Sequence, residues 1–115
     1  MPSSSPSRKH PLDITPHHLA IIEDILKHNV PDNPIWAFGS RVSGHATSTS
    51  DLDLAIISTT PLDFLLLANL KDAFSTSFIP YKIDIVDWAS ITPEFQRNIQ
   101  KEYRVLQEGK RQEKA

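Results

Sequence analysis

"FGSRVSGHATSTSDLDLAII", residues 38–57, is the stretch on which the reading of this 115-residue chain turns. It ends in an apolar run that reads as a strand, 51–57, yet two carboxylates, Asp51 and Asp53, stand at its head. Side chains at i and i+2 of a strand point the same way. Asp51, Asp53, Ala55 and Ile57 therefore share one face, and Leu52, Leu54 and Ile56 share the other. The Leu/Leu/Ile face belongs to a core, which leaves the two carboxylates about 7 Å apart on the opposite, open face. Two like charges so placed call for a cation between them.

A second strand, roughly 81–87 in "YKIDIVDW", repeats the pattern. Ile83 and Ile85 take the core side, leaving Lys82, Asp84 and Val86 on the other, while Asp87 faces away near the strand's end. Asp84 joins Asp51 and Asp53 if the two strands are neighbours. Three carboxylates on one face raise one another's pKa unless a cation neutralises them. Hard oxygen ligands with room for water suit Mg²⁺ or Mn²⁺. Alone, an Asp-x-Asp is as ordinary as a solvated strand edge or a cap; the apolar opposite face and the matched third aspartate are what favour a metal.

Upstream, "IWAFG" reads as a strand, 35–39, closed by Gly39, with Ser40 opening a short helix that reaches about Gly44. A glycine lets the backbone approach a ligand closely. A serine at this place serves either as an ordinary N-cap or as a phosphate contact. Arg41 beside it offers a charge-assisted contact to a phosphate.

The remaining elements follow from caps and periodicity. Thr15 and Pro16 start an amphipathic helix, 16–29, with Leu19, Ile22, Ile25 and Leu26 on its apolar side. Residues 61–76 read as a second helix opened by Pro61 and lined by Leu62, Leu65, Leu66, Leu70 and Phe74. A third begins at Thr92-Pro93 and carries Phe95, Ile99 and Val105 or Leu106 on its apolar side. The expected fold is a small mixed α/β sandwich, a three- or four-stranded sheet with helices packed on one face. The domain is expected to span 14–108, between a Ser/Pro-rich flexible tail, 1–13, and a charged tail, 109–115.

Composition narrows the function. A net charge of −2 gives no basic footprint for nucleic acid, and the absence of cysteine removes thiolate chemistry and zinc–cysteine sites. No apolar run is long enough to span a membrane and the first residues lack a signal peptide's apolar centre, so a cytoplasmic protein is expected. Of the five histidines, His10, His17, His18 and His28 suggest no shared metal site. His45 lies in the loop that crosses toward the carboxylates, as a solvated residue or a nucleotide contact. Lys82 either pairs with a carboxylate or reaches a phosphate. Trp36 and Trp88 are expected in the core or at a subunit contact.

Gly39-Ser40, ten residues, Asp51-Leu52-Asp53, then Asp84 in an apolar strand: this string resembles the signature of the DNA polymerase β-like nucleotidyltransferase superfamily, and is most similar to its minimal bacterial and archaeal members. The resemblance implies a palm-like sheet on which Asp51, Asp53 and Asp84 are catalytic and ligate two divalent ions, Mg²⁺ with Mn²⁺ as alternative. It implies ATP as substrate, held by Gly39 and Ser40 with Arg41 as a secondary candidate, and in-line attack on the α-phosphate with pyrophosphate leaving. Asp84 would also help activate the acceptor hydroxyl. Larger members add a domain that selects the acceptor; this sequence has none, so a partner or second subunit must bring it, in a homo- or hetero-oligomer. Minimal members typically stand beside a HEPN-type toxin, which implies an antitoxin that transfers AMP to a toxin tyrosine. A non-catalytic antitoxin that masks its partner is the alternative, and transfer to a small molecule such as an aminoglycoside a third.

Overall fold

The structure is a computed structural model and describes residues 12–109. The expected tails, 1–13 and 109–115, lie mostly outside the described residues. At the inner edge of the first, Leu12 packs against the core and the Asp13 N–H donates to Arg41 O at 2.8 Å.

Helix α1 runs Pro16–Asn29, with Thr15 accepting from the His18 N–H at 3.2 Å and Pro16 in the first turn, where its missing N–H costs nothing. Its buried residues are Ile22 and Leu26. Strand β1 is Ile35–Phe38, α2 is the short turn of helix Ser40–Ser43, and β2 is Leu52–Ile56. Helix α3, Phe64–Ser75, is capped by Asp63 rather than opened by Pro61. Leu70 and Phe74 are its buried residues; Leu67 packs on the core, whereas Leu65 faces solvent. Strand β3 is Ile83–Asp87, followed by a 3₁₀ turn, Trp88–Ser90, and helix α4, Pro93–Lys101.

The sequence places one helix from Thr92 onward; the structure ends it at Lys101 and adds a fourth strand, β4, Arg104–Gln107. Its antiparallel pairing with β1 occupies backbone groups that would otherwise form a bare sheet edge. Tyr103 stacks on Trp36 at 4.1 Å, and the Gln107 amide donates to Val30 O and Asn33 O, so contacts distant in sequence outweigh the helical spacing.

The sheet order is β3-β2-β1-β4, with β2 and β3 parallel and the other pairs antiparallel. Ile35, Ala37, Leu52, Leu54 and Ile56 form the core face beneath α1 and α3. The opposite face is only half open. Trp36 lies across from Ala55, meets Trp88 edge-on at 5.2 Å and stacks on Tyr103, which explains why Ala55 is fully buried on the carboxylate side. Phe95 of α4 packs edge-on against Phe38 on this same face. Beyond this aromatic cover Asp51, ahead of β2, is exposed, and Asp53 and Asp84 are partly exposed.

Candidate active site

Topology gathers the singled-out residues at one end of the sheet. Because β1 runs antiparallel to β2, its last residues lie beside the first residues of β2; because β3 is parallel to β2, it starts at the same end. Asp53 sits opposite Phe38 on one side and opposite Asp84 on the other. Asp51 immediately precedes β2 and is exposed. The expected face assignment holds: Leu52, Leu54 and Ile56 are fully buried, whereas Asp53 and Asp84 are partly exposed.

Asp53 lies between the other two. Burial, then the negative charges of Asp84 and Asp51, push its carboxyl up to about 6. Lys82 Nζ lies 3.5 Å from Asp84 Oδ1 at the exposed edge, so this lysine pairs with a carboxylate. Asp87, as its parity requires, belongs elsewhere: it is buried and accepts from the Leu62 N–H and the Ser90 hydroxyl at 2.8 and 2.9 Å, anchoring the turn after β3.

Gly39 is needed for two reasons. Its backbone, φ 88° and ψ −160°, lies in a region essentially restricted to glycine. A Cβ there would also overlap the Asp53 carboxylate. Ser40 opens α2, and its hydroxyl has no hydrogen-bond partner among the described residues. Beside this turn a cleft of about 300 Å³ is lined by Phe38, Gly39, Ser43, Phe95, Asn98, Ile99, Lys101 and Glu102. Sequence periodicity marks the 95–102 segment only as helix, and nothing local in it signals the cleft.

Arg41 is not brought to the site. It is 5% exposed, and its guanidinium donates to the carbonyls of Ser50, Asp13, Ser48 and Thr47. Adjacency to Gly39-Ser40 suggested a phosphate contact, but the side chain turns the other way, under the 45–50 loop. His45 is exposed, its Nδ1 3.1 Å from Ser43 Oγ.

The donor set fits a divalent cation. The half-buried Asp53 carboxylate has no hydrogen-bond donor among the described residues, and the missing Cβ of Gly39 leaves it space. Among the described residues no three ligand-type side chains already enclose a point. Asp51, Asp53 and Asp84 form an open row, which suits an ion that keeps water and phosphate oxygens as its other ligands. Protons compete with such an ion. Mn²⁺ affinity of the free chain is therefore expected to be greatest above pH 6, where Asp53 is ionised, and to fall toward tenfold per pH unit below it, with titrations at pH 5 and 7.5 as the check. Equal affinity at both would remove Asp53 from the ligand set.

The sequence profile described as "Polymerase beta, Nucleotidyltransferase" matches residues 21–112. A Haemophilus influenzae protein named "Probable protein adenylyltransferase MntA" is 54% identical over 97 residues, covering 84% of this chain and 85% of that one. A solved structure described as a toxin-antitoxin with AMP-PNP superposes with a TM-score of 0.65 at 24% identity, over 76% of this chain and 71% of the other. A second, of a tri-AMPylated Shewanella oneidensis HEPN toxin in complex with MNT antitoxin, gives 0.56 at 22% identity over 76% and 71%. No helix among the described residues is long and apolar enough to cross a membrane. With the profile spanning most of the chain and the carboxylate row on its sheet, this chain belongs to the polymerase beta nucleotidyltransferase family.

Proposed function

We propose that this chain is a protein adenylyltransferase, moving AMP from ATP to a hydroxyl, in our reading a tyrosine, of a HEPN-type toxin and so acting in the cytoplasm as its antitoxin. The observation that carries it is the row Asp53–Asp84 in register, with Asp51 at its head and Gly39 turned against it. A chain that only masked its partner would have no use for three carboxylates in a row, of which Asp84 alone has an ion-pair partner among the described residues, beside a strained glycine. The 54% identical relative carries the name of a protein adenylyltransferase, which supports the same activity.

In this reading Asp51, Asp53 and Asp84 hold two Mg²⁺ ions, for which Mn²⁺ can substitute; when bound, they neutralise the triphosphate and the charge that develops at the α-phosphate. Gly39 brings the backbone close to the β- and γ-phosphates, and the Ser40 hydroxyl donates to them. The cleft beside Gly39, with Phe38 and Phe95 among polar Asn98 and Lys101, offers room for part of the nucleoside. Asp84, at the exposed edge strand, accepts the proton of the incoming hydroxyl. The phosphorus–oxygen bond to the β-phosphate breaks as the bond to the acceptor oxygen forms, and pyrophosphate departs.

Incubating the chain with its toxin partner and Mg²⁺, in parallel with ATP labelled at the α- or the γ-phosphate, tests the reading. Label on the partner is expected from α-labelled ATP alone, and not with the Asp51→Ala/Asp53→Ala variant. Transfer from the γ-position would make the chain a kinase. No transfer with tight complex formation by both proteins would make it a binding antitoxin.

A further inference from the structure

Arg41 is a buried cation without a carboxylate partner among the described residues. Removing a guanidinium from water is costly unless its donors are satisfied, and here carbonyls and an aromatic ring satisfy it. Nε donates to Ser50 O at 2.9 Å, one Nη to Asp13 O at 2.9 Å, and the other to Ser48 O at 3.1 Å and Thr47 O at 3.4 Å. The cationic carbon lies 3.8 Å from the centre of the Tyr81 ring, a cation–π arrangement. Tyr81 is itself braced by α1, its hydroxyl 3.4 Å from His18 Nδ1.

These partners are not scattered. Ser48 and Ser50 belong to the loop that delivers Asp51 and Asp53, and Ser50 directly precedes Asp51. Tyr81 stands three residues before Asp84, at the base of β3. The two segments are also tied where the parallel ladder begins, by the Leu52 N–H donating to Lys82 O at 2.9 Å. We propose that Arg41 is a positioning residue: its guanidinium clamps the loop ahead of Asp51 to the base of β3, and so holds Asp51 and Asp53 in place relative to Asp84. The consequence for metal binding rests on the function proposed above. A lysine would keep the charge but not the planar fork that reaches several carbonyls at once.

The test uses the full chain and two variants, Arg41→Lys and Tyr81→Leu; the second leaves every carbonyl contact available and serves if the first does not fold. Amide hydrogen exchange over 45–52, Mn²⁺ binding to the free chain by electron paramagnetic resonance, and kcat and KM for ATP are read together. Both variants are expected to speed exchange in the loop and to weaken Mn²⁺ binding by about 10- to 100-fold, as loss of a group that orients ligands does elsewhere. kcat should fall with KM for ATP little changed. A folded Arg41→Lys chain with native loop exchange and native Mn²⁺ affinity overturns the proposal. So does a rise in KM for ATP with Mn²⁺ binding unaltered, which would put the guanidinium on a phosphate. A native chain that binds Mn²⁺, loses it in both variants, yet transfers nothing to the partner would support the clamp and overturn the proposed transferase.

Discussion

Asp53→Asn is expected to reduce AMP transfer on the order of 10³-fold or more, equivalent to about 4 kcal/mol of transition-state stabilisation, while leaving the metal-free chain at least as stable as the native one at pH 7.5. The first half follows from its place between Phe38 and Asp84, facing the open end of the sheet. The second half separates a functional carboxylate from a structural one. The Asp53 carboxyl is held near 6, well above its ordinary value, because the fold disfavours its ionised form. The native state therefore binds this proton more tightly than the unfolded chain, and metal-free stability declines as pH rises through the window from about 4 to about 6. Asparagine removes the charge and with it that decline. Thermal melts at pH 5 and 7.5, with EDTA and with Mg²⁺, check both signs. The native chain should gain stability from Mg²⁺ at pH 7.5, and the variant should gain little. A variant that melts well below the native chain in EDTA at pH 7.5 would mean that Asp53 holds the fold together.

Gly39→Ala is expected to cost roughly 1–3 kcal/mol of stability from backbone strain alone, and to reduce transfer severely. Two penalties coincide: φ 88° with ψ −160° is a glycine conformation, and the added methyl meets the Asp53 carboxylate. They can be separated by a double-mutant cycle. In an Asp53→Ala background the collision disappears and only the strain remains, so the destabilisation by Gly39→Ala should shrink there, a coupling expected of residues in contact. Urea unfolding of the four proteins measures it. Strict additivity would show that the methyl and the carboxylate do not meet.

Much of this site could be read along the chain. A strand's two-residue period is local, so the faces of Asp51, Asp53 and Asp84 follow from the sequence, and the buried Leu52, Leu54 and Ile56 bear out that assignment. Helix α1 was equally legible, because its signals, Thr15 and Pro16, act on their immediate neighbours. Strand β4 was not: Phe95 and Ile99 continue a helical spacing into residues whose fate depends on the bare edge of β1 and on the Trp36 ring.

Arg41 shows the same boundary from the other side. Beside Gly39-Ser40 it reads as a phosphate ligand, yet its partners are carbonyls from Asp13 to Ser50 that no local pattern announces. Gly39 is legible as a turn glycine, but the carboxylate it makes room for comes from the neighbouring strand. The sequence by itself determined which residues form the carboxylate face and which motif carries them, because alternation and capping act within a few residues. Only the tertiary structure decided where β4 pairs, how far the aromatic cover reaches and what Arg41 holds, because those depend on groups brought together from distant parts of the chain.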